Sequence, residues 1–369
     1  MESDMMNWAA RAVPQTQGLH PYVPGKPVEQ LLRDKGLSHA IKLASNENPY
    51  GPSPKAMEAI RRAAGEVHRY PDGNSWHLKE ALAALHGVAP DYILPGNGSN
   101  EVLELVIRTF AGPNDEVVYS QRGFIVYALA AQAAGARGVA VPEADGLAHD
   151  LQAMAQVVTA NTKIVCIANP NNPTGTWIDS ERLQAFLDRL PSDVVVILDE
   201  AYYEYVMVEQ GEYVPVRHPG LVLCRTFSKA YGLAGCRIGY AVADPDIVAV
   251  VNRVREPFNV SLLAQQAAVA ALVDRDWVME RVALCNAERL RLESALAELG
   301  ILAAPCRGNF VLLRHASAAL ILQRLEDQGI IPRPLGPYGM PDCLRITVGT
   351  SVENEALLAA LKPILASLD

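Results

Sequence analysis

No unbroken stretch of about eighteen apolar residues occurs anywhere in the chain, so nothing in it reads as a bilayer-spanning helix. The opening Met1-Glu2-Ser3-Asp4 is acidic and no long apolar run follows it, so no secretory leader is expected and the protein is placed in the cytoplasm. Six cysteines and eight histidines include no C-x-x-C and no H-E-x-x-H, which argues against a metal site and against a disulfide framework. Cys166, Cys224, Cys236, Cys285, Cys306 and Cys343 read instead as buried thiols. Basic residues are outnumbered, 32 against 41 acidic ones, and the net charge of -9 excludes a diffuse attraction to nucleic acid or to an anionic membrane. Internal repeats and low-complexity tracts are also missing.

What is present is a chain of 369 residues, half of them hydrophobic, enough for one large core and a smaller second one. From about residue 40 to 255, short β-branched apolar runs alternate with longer amphipathic segments, the pattern of an α/β domain with a mostly parallel central sheet flanked by helices. The clearest strands are Glu116–Tyr119, Ile164–Ile167, Val194–Leu198 and Leu221–Cys224, with helices expected over Glu101–Phe110, Ile125–Ala134 and Ser180–Leu190. After residue 256 the pattern becomes α+β: a long helical segment from Ser261 to Leu299, a strand Phe310–Leu313, a helix Ala318–Gln328 and a strand Leu344–Val348. This divides the chain into an arm over 1–40, carrying Pro21, Pro24 and Pro27 and packing with the small domain, a large domain over 41–255 and a small domain over 256–369.

In open parallel sheets, ligands collect beyond the carboxyl ends of the strands, so the polar residues that follow each apolar run carry the chemistry. The run ending at Leu198 delivers Asp199-Glu200-Ala201-Tyr202, and the run ending at Cys224 delivers Arg225-Thr226-Phe227-Ser228-Lys229. Taken singly, an aspartate there reads as a cap or turn residue and a lysine as a solvated surface charge. Together they fit a cofactor ring: a desolvated lysine attacks an aldehyde carbon, while a carboxylate keeps a pyridine nitrogen protonated and makes the ring an electron sink. The run ending at Ala168 leads into Asn169-Pro-Asn-Asn172-Pro-Thr-Gly175, a rigid turn that can present Asn172 to a phenolate oxygen. Gly96-Asn-Gly-Ser-Asn-Glu101 opens an amphipathic helix and offers backbone amides to a phosphate, but Glu101 stands where a dinucleotide fingerprint has its third glycine, and no G-K-[ST] follows.

The ordered set of these pieces resembles the fold-type-I aminotransferases, and within them the histidinol-phosphate aminotransferases of histidine biosynthesis, over nearly the whole length. The matching segments include Pro21-Tyr-Val-Pro-Gly-Lys-Pro27, Leu43-Ala-Ser-Asn-Glu-Asn-Pro49, Arg69-Tyr-Pro-Asp-Gly73, Arg225-Thr-Phe-Ser-Lys-Ala-Tyr-Gly-Leu-Ala-Gly235, Arg237-Ile-Gly239 and Leu344-Arg-Ile-Thr-Val-Gly-Thr350. The resemblance implies pyridoxal 5'-phosphate held as a Schiff base on Lys229, with Asp199 on its ring nitrogen and Asn172 and Tyr202 on its 3'-oxygen. It implies a phosphate site of Ser99, Asn100, Thr226, Ser228 and Arg237, completed by Tyr70 from the other subunit of a homodimer. Arg345 would take the α-carboxylate of glutamate and, with Arg333, the phosphate of the other substrate, with Tyr22 and Asn46 beside them.

One departure stands out. Where the family often has Pro-Thr-Tyr, this chain has Arg122-Gly-Phe124, so Phe124 can stack on the ring face without offering a hydroxyl. That region bears on the small-molecule amino donor and 2-oxo acid acceptor more than on the cofactor. An aromatic amino acid aminotransferase and a threonine-phosphate decarboxylase share the scaffold and are the rival readings. A cofactor-sensing regulator is disfavoured, because no basic helix-turn-helix segment precedes Leu43.

Overall fold

Val194–Leu198 shows how the larger sheet is built. Val195 and Ile197 fall in one buried cluster, Val194, Val196 and Leu198 in another on the opposite face, as the two-residue period of a strand requires. A run that is apolar at every position is therefore a strand covered on both sides. The computed structural model describes residues 7–19, 21, 25–211 and 214–368.

Seven strands make this sheet: β1 Ile93–Gly96, β2 Glu116–Ser120, β3 Arg137–Val141, β4 Thr162–Ala168, β5 Val195–Asp199, β6 Leu221–Thr226 and β7 Gly239–Ala243. Their spatial order is β1-β7-β6-β5-β4-β2-β3, and only β7 runs against the rest. Pro95 is tolerated because β1 is an edge strand with one neighbour. Helices α1 Ser99–Phe110 and α2 Val126–Ala133 cover one face, through Val102, Val106, Tyr127 and Ala130. The other face is covered by Met154, Leu183, Phe186 and Leu187 from two short helices. The fold is thus an α/β fold of the expected kind, with helices on both sides of a mostly parallel sheet.

A second sheet, all antiparallel, has the order Arg333–Leu335, Met340–Thr347, Phe310–Arg314, Leu302–Ala304. The two sheets are bridged by the segment after Ile41. Ile41–Lys42 pairs in parallel with Ile330–Ile331, and the Leu43 carbonyl accepts from the Thr347 amide at 2.8 Å. This threading brings Ala44, Ser45 and Asn46 to the ends of the central strands.

Two expectations need correction. The helical segment Ser261–Leu299 is two helices, Leu262–Val273 and Arg275–Glu298, broken at Asp274. The Asp274 carboxylate accepts the Lys55 amide at 2.9 Å and pairs with its ammonium, which pins the break against helix Pro54–Ala63. The arm is also less irregular than its prolines suggest, since Val28–Lys35 is a helix that starts just after Pro27 and stops at Gly36 with φ 65°. Lys26 and Lys35 tie it to Glu326 and Asp327.

Among the described residues, no helix is long and apolar enough to cross a membrane, and no group of three His, Cys, Asp or Glu side chains is placed to hold a metal ion. All six cysteines are free thiols, five of them buried.

Candidate active site

The carboxyl ends of β4, β5 and β6 open into a cavity of about 190 Å³. Register decides which residues reach it: Ala168 is paired with Asp199, Asp199 with Cys224, and Thr226 lies two residues further on the same face. Asp199 also shares the face of Val195 and Ile197, so its carboxylate turns toward α2. Burial pushes its acid up to about 6, against the pull of hydrogen bonds from the Tyr127 hydroxyl at 2.9 Å and the Ala201 amide at 3.2 Å.

Lys229 faces the same cavity from the turn after β6, its Nζ donating to the Ser45 carbonyl at 3.0 Å. Desolvation brings the amine down to about 7, helped by cationic Arg345 and Arg237 and opposed by Glu47 and Asp199. A lysine with that proton affinity is both a nucleophile and a base at neutral pH.

One end of the cavity is an anion cradle. Gly98, at φ 79°, caps α1, and a methyl built on it would stand 2.4 Å from Arg237 Nη2. A methyl on Gly239 would stand 2.4 Å from the Ser99 amide. Gly98 allows the close approach of the guanidinium to the helix start and Gly239 that of β7 to the same turn, and the positive end of the helix dipole adds to the charge of Arg237. Arg237 Nη1 is held by the Ala234 carbonyl at 3.1 Å and Ser228 Oγ at 3.3 Å. Glu101 has its own structural reason: its carboxylate accepts from the Asn97 amide and from Asn259 Nδ2, both at 2.6 Å, and so fixes the turn.

The other end is built by Arg345, buried on strand Met340–Thr347. It donates to Asn172 Oδ1 at 2.5 Å and to the Ala44 carbonyl at 2.8 Å, while its Nε is buried without a partner. Asn46 donates to the Tyr202 hydroxyl at 2.8 Å, and burial raises that phenol to about 12. The Asn172 turn is clamped from behind: Gly175, at φ 77°, packs on Cys306 so closely that a methyl there would lie 2.3 Å from Sγ. Arg307 donates its amide to the Gly175 carbonyl at 2.9 Å.

The structure therefore gathers Asn46, Ser99, Asn100, Phe124, Asn172, Asp199, Tyr202, Thr226, Ser228, Lys229, Arg237 and Arg345 around one space. Arg333 and Tyr70 do not line it. Arg333 is buried on the neighbouring strand, directly opposite Arg345. Tyr70 is 83% exposed and stacks on Phe258 at the surface, with ring centroids 4.7 Å apart. Tyr22 lies outside the described residues.

The sequence profile of "Aminotransferase class I and II" matches residues 38–361. The chain belongs to the class I and II aminotransferases. This aminotransferase is 46% identical to histidinol-phosphate aminotransferase 2 of Pseudomonas aeruginosa, over 98% of its own length and all of that protein. It is 48% identical to histidinol-phosphate aminotransferase 1 of Nitrosococcus oceani, over 95% of both chains. Among solved structures it resembles the histidinol-phosphate aminotransferase of Sinorhizobium meliloti in complex with pyridoxal-5'-phosphate, with a TM-score of 0.88, 33% identity and coverage of 98% and 99%.

Four residues of this aminotransferase escape a reading of its motifs: Ser45, Glu101, Tyr127 and Tyr338. Ser45 and Tyr338 line the cavity from loops. Tyr127 sits behind it on α2, where its ring meets that of Phe124 edge to face.

Proposed function

We propose that this aminotransferase moves the amino group of L-histidinol phosphate to 2-oxoglutarate, with pyridoxal 5'-phosphate as cofactor, giving imidazole-acetol phosphate and glutamate. One observation carries this reading: a lysine amine and a buried carboxylate face a single cavity that has an anion cradle at one end and a buried arginine with an unpartnered Nε at the other. The residues fit the cofactor by chemistry, because the Ser99 amide and Arg237 suit its phosphate and Asp199 suits its ring nitrogen.

When bound, that cofactor supplies an electron sink for the charge left on the substrate Cα. In this reading Lys229 holds it covalently and then takes and returns the Cα proton through Nζ. Asp199 keeps a proton on the ring nitrogen, Asn172 and Tyr202 bond the 3'-oxygen, and Phe124 stacks on the ring. Asn100, Thr226 and Ser228 join Ser99 and Arg237 on the phosphate. Arg345 receives the α-carboxylate of glutamate, and Arg345 with Arg333 receives the phosphate of the other substrate, flanked by Asn46 and Tyr22.

The same reading makes the enzyme a cytoplasmic homodimer in which Tyr70 reaches the cofactor phosphate of the other subunit. Residues 41–255 then form the cofactor-binding domain, 256–369 the smaller domain and 1–40 the arm. Steady-state kinetics test the substrate: kcat/KM for histidinol phosphate should exceed that for phenylalanine or tyrosine, and the reverse order would reject the assignment. Borohydride reduction of the holoenzyme tests the cofactor site, with the pyridoxyl label expected on Lys229.

A further inference from the structure

Two aromatic rings stand at the start of α2. Phe124 borders the cavity, and Tyr127 meets it edge to face, with centroids 5.9 Å apart and planes at 87°. Tyr127 is outside the cavity lining and fully buried, yet its hydroxyl reaches across 72 positions of sequence to donate to Asp199 Oδ2 at 2.9 Å. The groups that face this carboxylate come from every neighbouring element: Tyr127 from α2, Cys166 from β4, Cys224 from β6, Glu200 and Tyr202 after β5, and Lys229 after β6. The two thiols are buried and stay protonated, and Glu200 is turned away to accept two bonds from Arg225 at 2.8 and 3.0 Å.

We propose that Tyr127 is a positioning residue whose hydroxyl keeps Asp199 ionised and aimed as the acceptor for the cofactor's ring nitrogen. This rests on the cofactor reading given above. The physical argument is one of balance. Burial favours the neutral acid, and a neutral acid beside a pyridine nitrogen donates a proton in a hydrogen bond instead of accepting one, which leaves the ring a poorer electron sink. A phenol held well above its ordinary proton affinity by burial is a permanent donor, and a donor favours the ionised form of its partner. A hydrogen bond to a charged group is strong enough to move a carboxyl midpoint by about one pH unit or more. Core packing alone makes no such demand, since phenylalanine fills the same space.

The test is equilibrium binding of pyridoxamine 5'-phosphate to the apoenzyme between pH 5 and 9; this probe has no aldehyde, so Lys229 forms no covalent link to it. In the wild type the affinity should fall as Asp199 is protonated near pH 6. In Tyr127→Phe the same fall should begin about one pH unit higher. A carbocyclic analogue with CH in place of the ring nitrogen should show no fall in either protein, and in Asp199→Asn the further change Tyr127→Phe should alter nothing. A binding profile unmoved by Tyr127→Phe overturns the proposal while leaving the cofactor reading intact; a wild type that binds no pyridoxamine phosphate overturns both. If Tyr127→Phe folds only in the Asp199→Asn background, the pairing is supported, and failure to fold in both backgrounds assigns Tyr127 to packing.

Discussion

Arg333 and Arg345 stand directly opposite each other on adjacent antiparallel strands, yet only Arg345 lines the cavity. The two therefore have separable effects. Arg345→Lys removes a planar fork that the Asn172 and Ala44 contacts hold in place, and kcat/KM should fall about a hundredfold for both glutamate and the phosphorylated amine, the loss of about 3 kcal/mol from charged hydrogen bonds. Arg333→Lys should depress only the phosphorylated substrate. Kinetics of the two half-reactions measured separately check both outcomes.

Gly98→Ala places a methyl against Arg237 Nη2 in a backbone conformation that disfavours any side chain. The guanidinium must withdraw from the helix start, so the affinity of the apoenzyme for pyridoxal phosphate should drop by about tenfold or more, about 1 to 3 kcal/mol of strain and lost contact. Equilibrium dialysis is the measurement, and because the backbone strain is present without the cofactor as well, the apoenzyme should also melt at a lower temperature.

The amine of Lys229 is lowered in the folded chain, from the usual lysine range to about 7. Folding is then penalised wherever the unfolded chain still holds the proton more tightly. The penalty is complete at pH 7 and below, shrinks as pH rises from 7 toward 10.5 and is gone above that. Lys229→Met should therefore melt above the wild-type apoenzyme at pH 7, with the difference closing as the pH approaches 10. Calorimetry across that window decides the sign.

Behind the Asn172 turn, Arg289 is wholly buried between Glu293, Glu209 and the Cys306 carbonyl, at 2.9, 2.6 and 2.5 Å. Removing the cation while keeping the volume, as in Arg289→Met, takes the paired arginine from Glu293 and leaves Glu209 to Arg307. Unfolding by urea should show a loss of about 3 to 5 kcal/mol, and Glu209→Gln with Glu293→Gln in the same chain should recover part of it.

Strand ends were the most readable part of the site. Asp199 directly follows the buried apolar run of β5 and Lys229 stands three residues beyond the end of β6, and it is these positions taken together with the ordered motifs around them that single the two out. The glycine turn was readable as an anion cradle, but not Glu101's part in it, because the Asn259 amide that shares its carboxylate lies 158 residues away. Tyr127 was invisible for the same reason: its partner is set by how α2 lies on the sheet and not by any local pattern. The break at Asp274 depends on Lys55, 219 residues distant. Helix Val28–Lys35 had local signals, with Pro27 before it and Gly36 after it, which the surrounding prolines masked.

The alternation along β5 makes the direction of the Asp199 carboxylate a matter of parity. Deleting or inserting a single apolar residue between Val195 and Leu198 would leave the composition of the strand almost unchanged and its burial plausible, yet would swing the terminal carboxylate to the face away from α2. Length polymorphism should accordingly be forbidden within this strand even where conservative exchange among valine, isoleucine and leucine is freely accepted.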